Sequence, residues 1–182
     1  GNLEPDLAEN LPEISKDGLR VVFTLRSGLK WSDGQPQTVD DVIFTFKDVI
    51  FNEKIPTGSR DVLSIGEKKL LPKIEKLDDR RIAFTLPEPF APFLRTVGGV
   101  SILPKHILAK SIAETDDKGN PDFLTTWTLD TPLNRIIGSG PYLLSEYRPA
   151  ERFIYRRNPN YWKHERPYIE KLVLQIVEST DT

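Results

Sequence analysis

The sequence predicts a mixed α/β chain, a mixed sheet with peripheral helices, and three stretches carry that prediction. From Leu19, the residues Leu19, Val21, Phe23 and Leu25 alternate with Arg20, Val22, Thr24 and Arg26, the two-residue period of a strand with one buried face. From Thr38, the residues Val39, Val42, Ile43, Phe46, Val49 and Ile50 recur at helical spacing. In the last third, apolar and polar residues alternate again through Tyr142–Tyr147, Arg152–Arg157 and Ile169–Val177, separated by turn-forming residues.

Each element has a local reason. Residues 1–16 form a proline-containing lead-in, in which Leu7, Ala8 and Leu11 fit one helical turn. Ser27-Gly28 and Asp33-Gly34 read as turns, because glycine reaches positive φ without a steric penalty. A second short strand is expected between them. Thr38 reads as a helix N-cap, with Asp40 and Asp41 in the first turn, where the helix dipole favours negative charge. Burying the apolar face of that helix is worth roughly 1.5–3 kcal/mol per large side chain, which makes Leu19–Asn52 the organising segment.

The stretch 53–71 is irregular, broken by Pro56, Gly58 and Ser59, with a helical turn expected within Asp61–Leu71. Lys73–Leu86 reads as a hairpin turning at Asp78-Asp79. Phe90–Thr96 is a short helix that admits Pro92 only in its first turn, closed by Gly98-Gly99. Val100–Leu103 is a strand candidate, and Pro104–Ser111 a helix with proline at its first position. Residues 113–130 are polar, looped at Gly119-Asn120-Pro121, with Phe123, Leu124 and Trp127 as anchors.

Composition narrows the function. The chain has 182 residues, 38% hydrophobic and 29% charged, with a net charge of −2. That describes a folded chain with one substantial core or two small lobes. Both signs of charge are mixed and no basic stripe is present, which argues against nucleic acid as a partner. Cysteine is absent, so there is no disulfide frame, thiolate nucleophile or cysteine-based metal site. No run reaches the ~18 apolar residues of a spanning helix. No signal peptide is visible. A Gly start and the lack of any Met suggest an excised or processed segment.

No residue pattern points to catalysis. Gly138-Ser139-Gly140 lacks the third glycine of a phosphate loop, and Pro141 stands where a helix should begin; a loop entering a strand explains it better. His106 and His164 are the only histidines, and neither belongs to a metal-ligand pattern. The pairs Asp40-Asp41, Asp78-Asp79 and Asp116-Asp117 are sequence neighbours, which do not face each other on a helix; capping accounts for the first pair and turns for the others. No nucleophile elbow is present. Trp31 is expected in the core, and Tyr161 and Trp162 as loop pins.

Specific residues carry a family resemblance. Trp31, Ser32, Asp33, Gly34, Thr38, Asp40, Asp41, Val42 and Phe44 stand in one ordered run. Pro5, Leu7, Ala8 and Glu9 precede it, while Leu11 departs from a usual Trp. Ile102, Pro104, Lys105, His106 and Ile107 form a third block. The most specific run is Gly138-Ser-Gly-Pro-Tyr142, then Arg157, Asn158, Pro159, Tyr161 and Trp162, then Pro167, Tyr168 and Lys171. Together these blocks resemble the extracellular solute-binding proteins of family 5, the peptide- and nickel-binding components of ABC importers.

The resemblance implies a partial periplasmic-binding-protein-like class II fold. Residues 1–50 and 138–182 would supply lobe I sheet and residues 51–137 an inserted subdomain, with the second lobe outside this chain. It implies no enzyme activity, no cofactor and no metal. The expected partners are a peptide or other small solute and, through the full-length protein, an ABC permease. Localisation would be periplasmic or extracellular, with surface anchoring supplied by a lipid anchor or the permease rather than by these residues. The expected solute-facing residues are Arg60, which can meet a carboxylate, and the bend Gly98, Gly99, Val100 and Ser101, where backbone can approach a ligand. These motifs are scaffold motifs, so the site residues do not follow from them. A ligand-sensing domain of a regulatory protein is the competing reading, and an enzyme ranks third.

Overall fold

The structure, a computed structural model, describes residues 2–177. Gly1 and residues 178–182, both within the expected lobe I segments, lie outside that range. The chain divides into two compact units. One comprises the residues through Ser27 together with Thr38–Thr126, the other Gly28–Gln37 together with the residues from Trp127 onward.

The first unit is built on a four-stranded antiparallel sheet of order β1-β2-β4-β3. Its strands are β1 (Glu13–Ile14), β2 (Arg20–Thr24), β3 (Lys73–Lys76) and β4 (Arg81–Thr85). Register places Val21 opposite Phe84, Phe23 opposite Ile82 and Ile74 opposite Phe84. Because side chains alternate across a strand, these five residues line one face of the sheet. The lead-in holds no helical turn: Ala8 makes an antiparallel bridge to Leu25 instead, because the open edge of a strand pairs more backbone groups than one isolated turn would.

Helix α1 (Val39–Ile43) continues without a break into a π-helix, Phe44–Ile50. Thr38 caps it as predicted, with a reciprocal capping box to Asp41. The helix lays Phe44, Phe46, Val49 and Ile50 into the core. The Phe46 and Phe93 rings meet the Phe84 ring edge-on at centroid distances of 5.2 and 5.5 Å, a geometry favoured by the ring quadrupoles. Helix α2 (Gly58–Leu63) comes earlier than predicted, since Thr57 can cap it and its side chain accepts from the Ser59 N–H. Helix α3 (Phe93–Gly98) and helix α4 (Lys105–Ala113) follow. Val100–Leu103 is irregular, not a strand.

The β3–β4 turn rests on Asp78, whose carboxylate accepts from the Arg80 and Arg81 N–H groups and from Arg81 Nε at 2.6 Å. The Arg80 backbone bond, followed by the Arg81 side-chain bond, pulls its pKa from 3.8 to about 2. A carboxyl with a depressed folded-state pKa contributes stability that is present above the unfolded value and lost as pH falls through the folded value. We therefore expect stability to decline between about pH 4 and pH 2, with a shallower decline in Asp78→Asn. Urea midpoints measured across that range check this, and identical slopes for the two proteins would refute it.

The second unit carries a three-stranded antiparallel sheet, β5 (Tyr142–Arg148), β6 (Arg152–Arg157) and β7 (Lys171–Gln175), in sequence order. A register shift between Leu144 and Glu146 marks a bulge in β5. Tyr147 and Phe153 stack at 5.0 Å. The segment 28–37 belongs here. Gly28 and Gly34 hold positive φ of 73° and 87°, as their turns require, but the predicted second strand shrinks to one bridge between Lys30 and Pro36. Trp31 is in the core, 1% exposed. The apolar face expected on β7 is not covered by the described residues, with Leu174 55% and Ile176 42% exposed.

Strand β2 pairs along its whole length with β4, so residues 20–24 and 81–85 share one sheet.

Candidate functional site

The residues expected to face a solute all lie in the first unit. Arg60 sits in α2, and α2 packs on α3, whose C-terminal end begins the Gly98–Ser101 bend. The structure thus brings the two expected pieces onto neighbouring helices. The Arg60 fork is engaged by main chain: Nε donates to the Ile50 carbonyl at 2.8 Å, and Nη2 donates to the carbonyls of Asn52 and, at 2.7 Å, Ile55. The Ile50 carbonyl ends the π-helix, and the Asn52 carbonyl also accepts the Ile55 N–H in the turn that follows. Arg60 therefore fastens the turn after the helix, a role its place in the sequence did not announce. Arg60→Ala is expected to lower stability by about 1–2 kcal/mol, read as a reduced urea midpoint. An unchanged midpoint would show that water replaces the guanidinium.

The bend itself has ordinary backbone. Gly99 has φ −83° and accepts its place as the α3 C-cap. A Cβ on Gly98 would meet nothing within 4 Å, and one on Gly99 only carbonyls at 3.5 and 3.6 Å. Neither conformation nor internal crowding demands glycine at these positions. Gly98, Gly99 and Ser101 are exposed and Val100 is half-buried.

What holds the following segment in place is a buried polar pair, Asp41 on α1 and Thr45 on the π-helix that continues it. Asp41, 4% exposed, accepts from the Thr38 N–H through Oδ2 and from the Lys105 N–H through Oδ1, at 2.8 and 2.9 Å. Thr45, one turn on, donates to the Asp41 carbonyl and accepts from the Leu103 N–H, both at 2.8 Å. Pro104 at the α4 N-cap offers no capping side chain, so Asp41 serves both helices. Spacing identified Asp41 as a cap of its own helix. Its second partner, 64 residues away, left no signal in the sequence.

In the second unit the motif residues are scaffold. Asn158, 2% exposed, donates from Nδ2 to the Gly140 carbonyl at 2.8 Å, and its backbone N–H donates to the Pro141 carbonyl. Gly138 exchanges bonds with Ser32: its N–H donates to Ser32 Oγ, and its carbonyl accepts the Ser32 N–H. The Gly138-Ser139-Gly140 loop is thus knotted into a strand entrance, as its sequence implied. Asn158 is the pin there, and Tyr161 and Trp162 contact each other at 5.9 Å while half-buried.

Among the described residues no group of three or more His, Cys, Asp or Glu is placed to hold a metal ion. Asp40 pairs with Lys76 at 3.1 Å, and Asp116 closes its own turn by accepting from Lys118 and Asn120. No helix among the described residues is long and apolar enough to cross a membrane.

Comparisons with known proteins give a consistent result. The family described as bacterial extracellular solute-binding proteins, family 5 Middle, matches residues 2–182. A Brucella melitensis protein named as a binding protein is 37% identical over 150 residues, covering 81% of this chain and 21% of that protein. The oligopeptide-binding protein AppA of Bacillus subtilis, solved in complex with a nonapeptide, superposes with a TM-score of 0.75 at 25% identity over 97% of this chain and 32% of that one. The periplasmic binding protein MelB of Agrobacterium fabrum, solved with stachyose, gives 0.78 at 27% identity over 95% and 26%. The chain therefore spans between a fifth and a third of the length of these relatives, and its fold is part of a periplasmic-binding-protein fold.

Proposed function

Because the chain belongs to the bacterial extracellular solute-binding proteins of family 5, we propose that it is part of a protein that captures a peptide or similar small solute between two lobes and hands it to an ABC permease. The observation that carries this is the agreement of the family match over residues 2–182 with the likeness to a nonapeptide complex. Capture of this kind is binding without bond chemistry, so a protein that is not an enzyme fits the reading. The place of action is the periplasm or the outer cell surface, in keeping with the family's extracellular description.

Within that reading, Arg60, Gly98, Gly99, Val100 and Ser101 form part of the solute-facing wall. Open space over Gly98 supports the assignment of the bend, since a ligand backbone can approach where no Cβ stands. The same reading takes residues 1–50 and 138–182 as lobe I sheet and residues 51–137 as an inserted subdomain. Closure around a solute requires contacts from both lobes, so this chain alone binds peptide weakly or not at all.

The test is native mass spectrometry of the full-length parent, purified without denaturation, followed by calorimetry with the recovered solute. A co-purified peptide supports the reading, and its length sizes the cleft. A parent that carries nothing and shows no heat with peptide pools overturns it. Micromolar peptide binding by the 182-residue chain alone would overturn the two-lobe requirement.

A further inference from the structure

The second unit holds a groove of about 330 Å³. Tyr142 from the start of β5, Tyr161 from the turn after β6, and Pro167 and Tyr168 from the approach to β7 line it, together with Lys163 and Arg166. Its wall is braced. The Tyr142 hydroxyl donates to the Ile169 carbonyl at 2.9 Å, and the Arg166 N–H donates to the Lys163 carbonyl at 2.8 Å, closing the turn that carries both cations.

Each cation lies against a ring. Lys163 Nζ is 4.7 Å from the centroid of Trp162, and Arg166 Cζ is 5.0 Å from that of Tyr168. Among the described residues neither has a carboxylate within ion-pair distance, and the nearby Glu170 is paired with Arg157 at 3.8 Å. An arginine beside an aromatic ring is attracted to its face and presents a planar fork of N–H donors. That fork matches a carboxylate with two parallel bonds. Aromatic and proline walls suit an apolar body, and the volume is at the small end of ligand sites, enough for one ring.

We propose that this groove binds a small carboxylate with a single apolar ring, the carboxylate between Arg166 and Lys163 and the ring against the tyrosines. The site lies wholly in the second unit, whereas Arg60 and Gly98–Ser101 lie in the first, so its failure leaves the solute-capture reading untouched.

The experiment is amide NMR of the labelled chain titrated with 3-phenylpropionate and, separately, with its neutral amide. The acid should shift the resonances of Tyr142 and of 161–169 saturably, with a Kd on the order of 1 mM for so small a ligand. Arg166→Gln and Lys163→Gln should each weaken it by about fivefold or more. Both side chains are exposed, so an otherwise unchanged spectrum certifies that the variants fold. A short peptide ending in phenylalanine with a free carboxylate separates the sources: equal affinity identifies a chain terminus as the ligand, and lost affinity identifies a free acid. Absence of shifts with the acid, or equal binding by acid and amide, overturns the proposal.

Discussion

Phe84→Ala is expected to cost about 3–5 kcal/mol and to leave the first unit without a stable fold under mild conditions. Phe84 is 1% exposed and sits on the central strand β4. Its ring meets those of Phe23, Phe46 and Phe93 at 5.8, 5.2 and 5.5 Å. One truncation therefore unpacks strand β2, the π-helix and α3 from the sheet together. Against a total stability of about 5–15 kcal/mol for a domain, that is most of the margin. Since Trp31, Trp127 and Trp162 all belong to the second unit, tryptophan fluorescence is the wrong reporter. Hydrogen exchange at residues 39–50 and 81–85 is the right one, and it should rise toward unprotected rates. Phe23→Ala, at a half-buried position, should cost only a fraction as much. Equal losses for the two variants would refute the central place given to Phe84.

Asp41→Ala is expected to cost about 3 kcal/mol, because it strips two backbone donors of a charged acceptor at once. Both helix starts are affected. Thr38 loses the return half of its capping box, and the Lys105 N–H at the head of α4 loses its acceptor. Asp41→Asn keeps one acceptor oxygen and should fall between wild type and Asp41→Ala. The distinguishing readout is exchange at Lys105 and Leu103. If only the Thr38–Ile43 turn loosens while Lys105 stays protected, the link from α1 to α4 is not energetically real. The same network fixes the segment just after Gly98–Ser101.

The sequence alone determined several elements whose cause is local. The Thr38 cap, the Asp78 turn, the strand alternation at Arg20–Thr24 and in β3 to β6, and the α4 segment behind Pro104 all follow from backbone preference and side-chain period within a dozen residues. It also carried the family, because the ordered blocks from Trp31 to Lys171 persist in a chain that matches that family from residue 2 to 182.

Tertiary structure decided what depends on partners far along the chain. Whether Lys30 begins a strand or a lone bridge rests on backbone pairing with Pro36, and whether Val100–Leu103 pairs at all depends on the Thr45 hydroxyl that claims the Leu103 N–H. The use of Arg60 was hidden for the same reason: its guanidinium goes to carbonyls within its reach, and only the path of residues 50–55 shows where these are. Likewise, the antiparallel pairing of β2 with β4 joins segments about sixty residues apart. Periodicity gives each strand a buried face. It does not name the strand beside it, because pairing free energy is gained from the neighbour's backbone and not from the strand's own sequence.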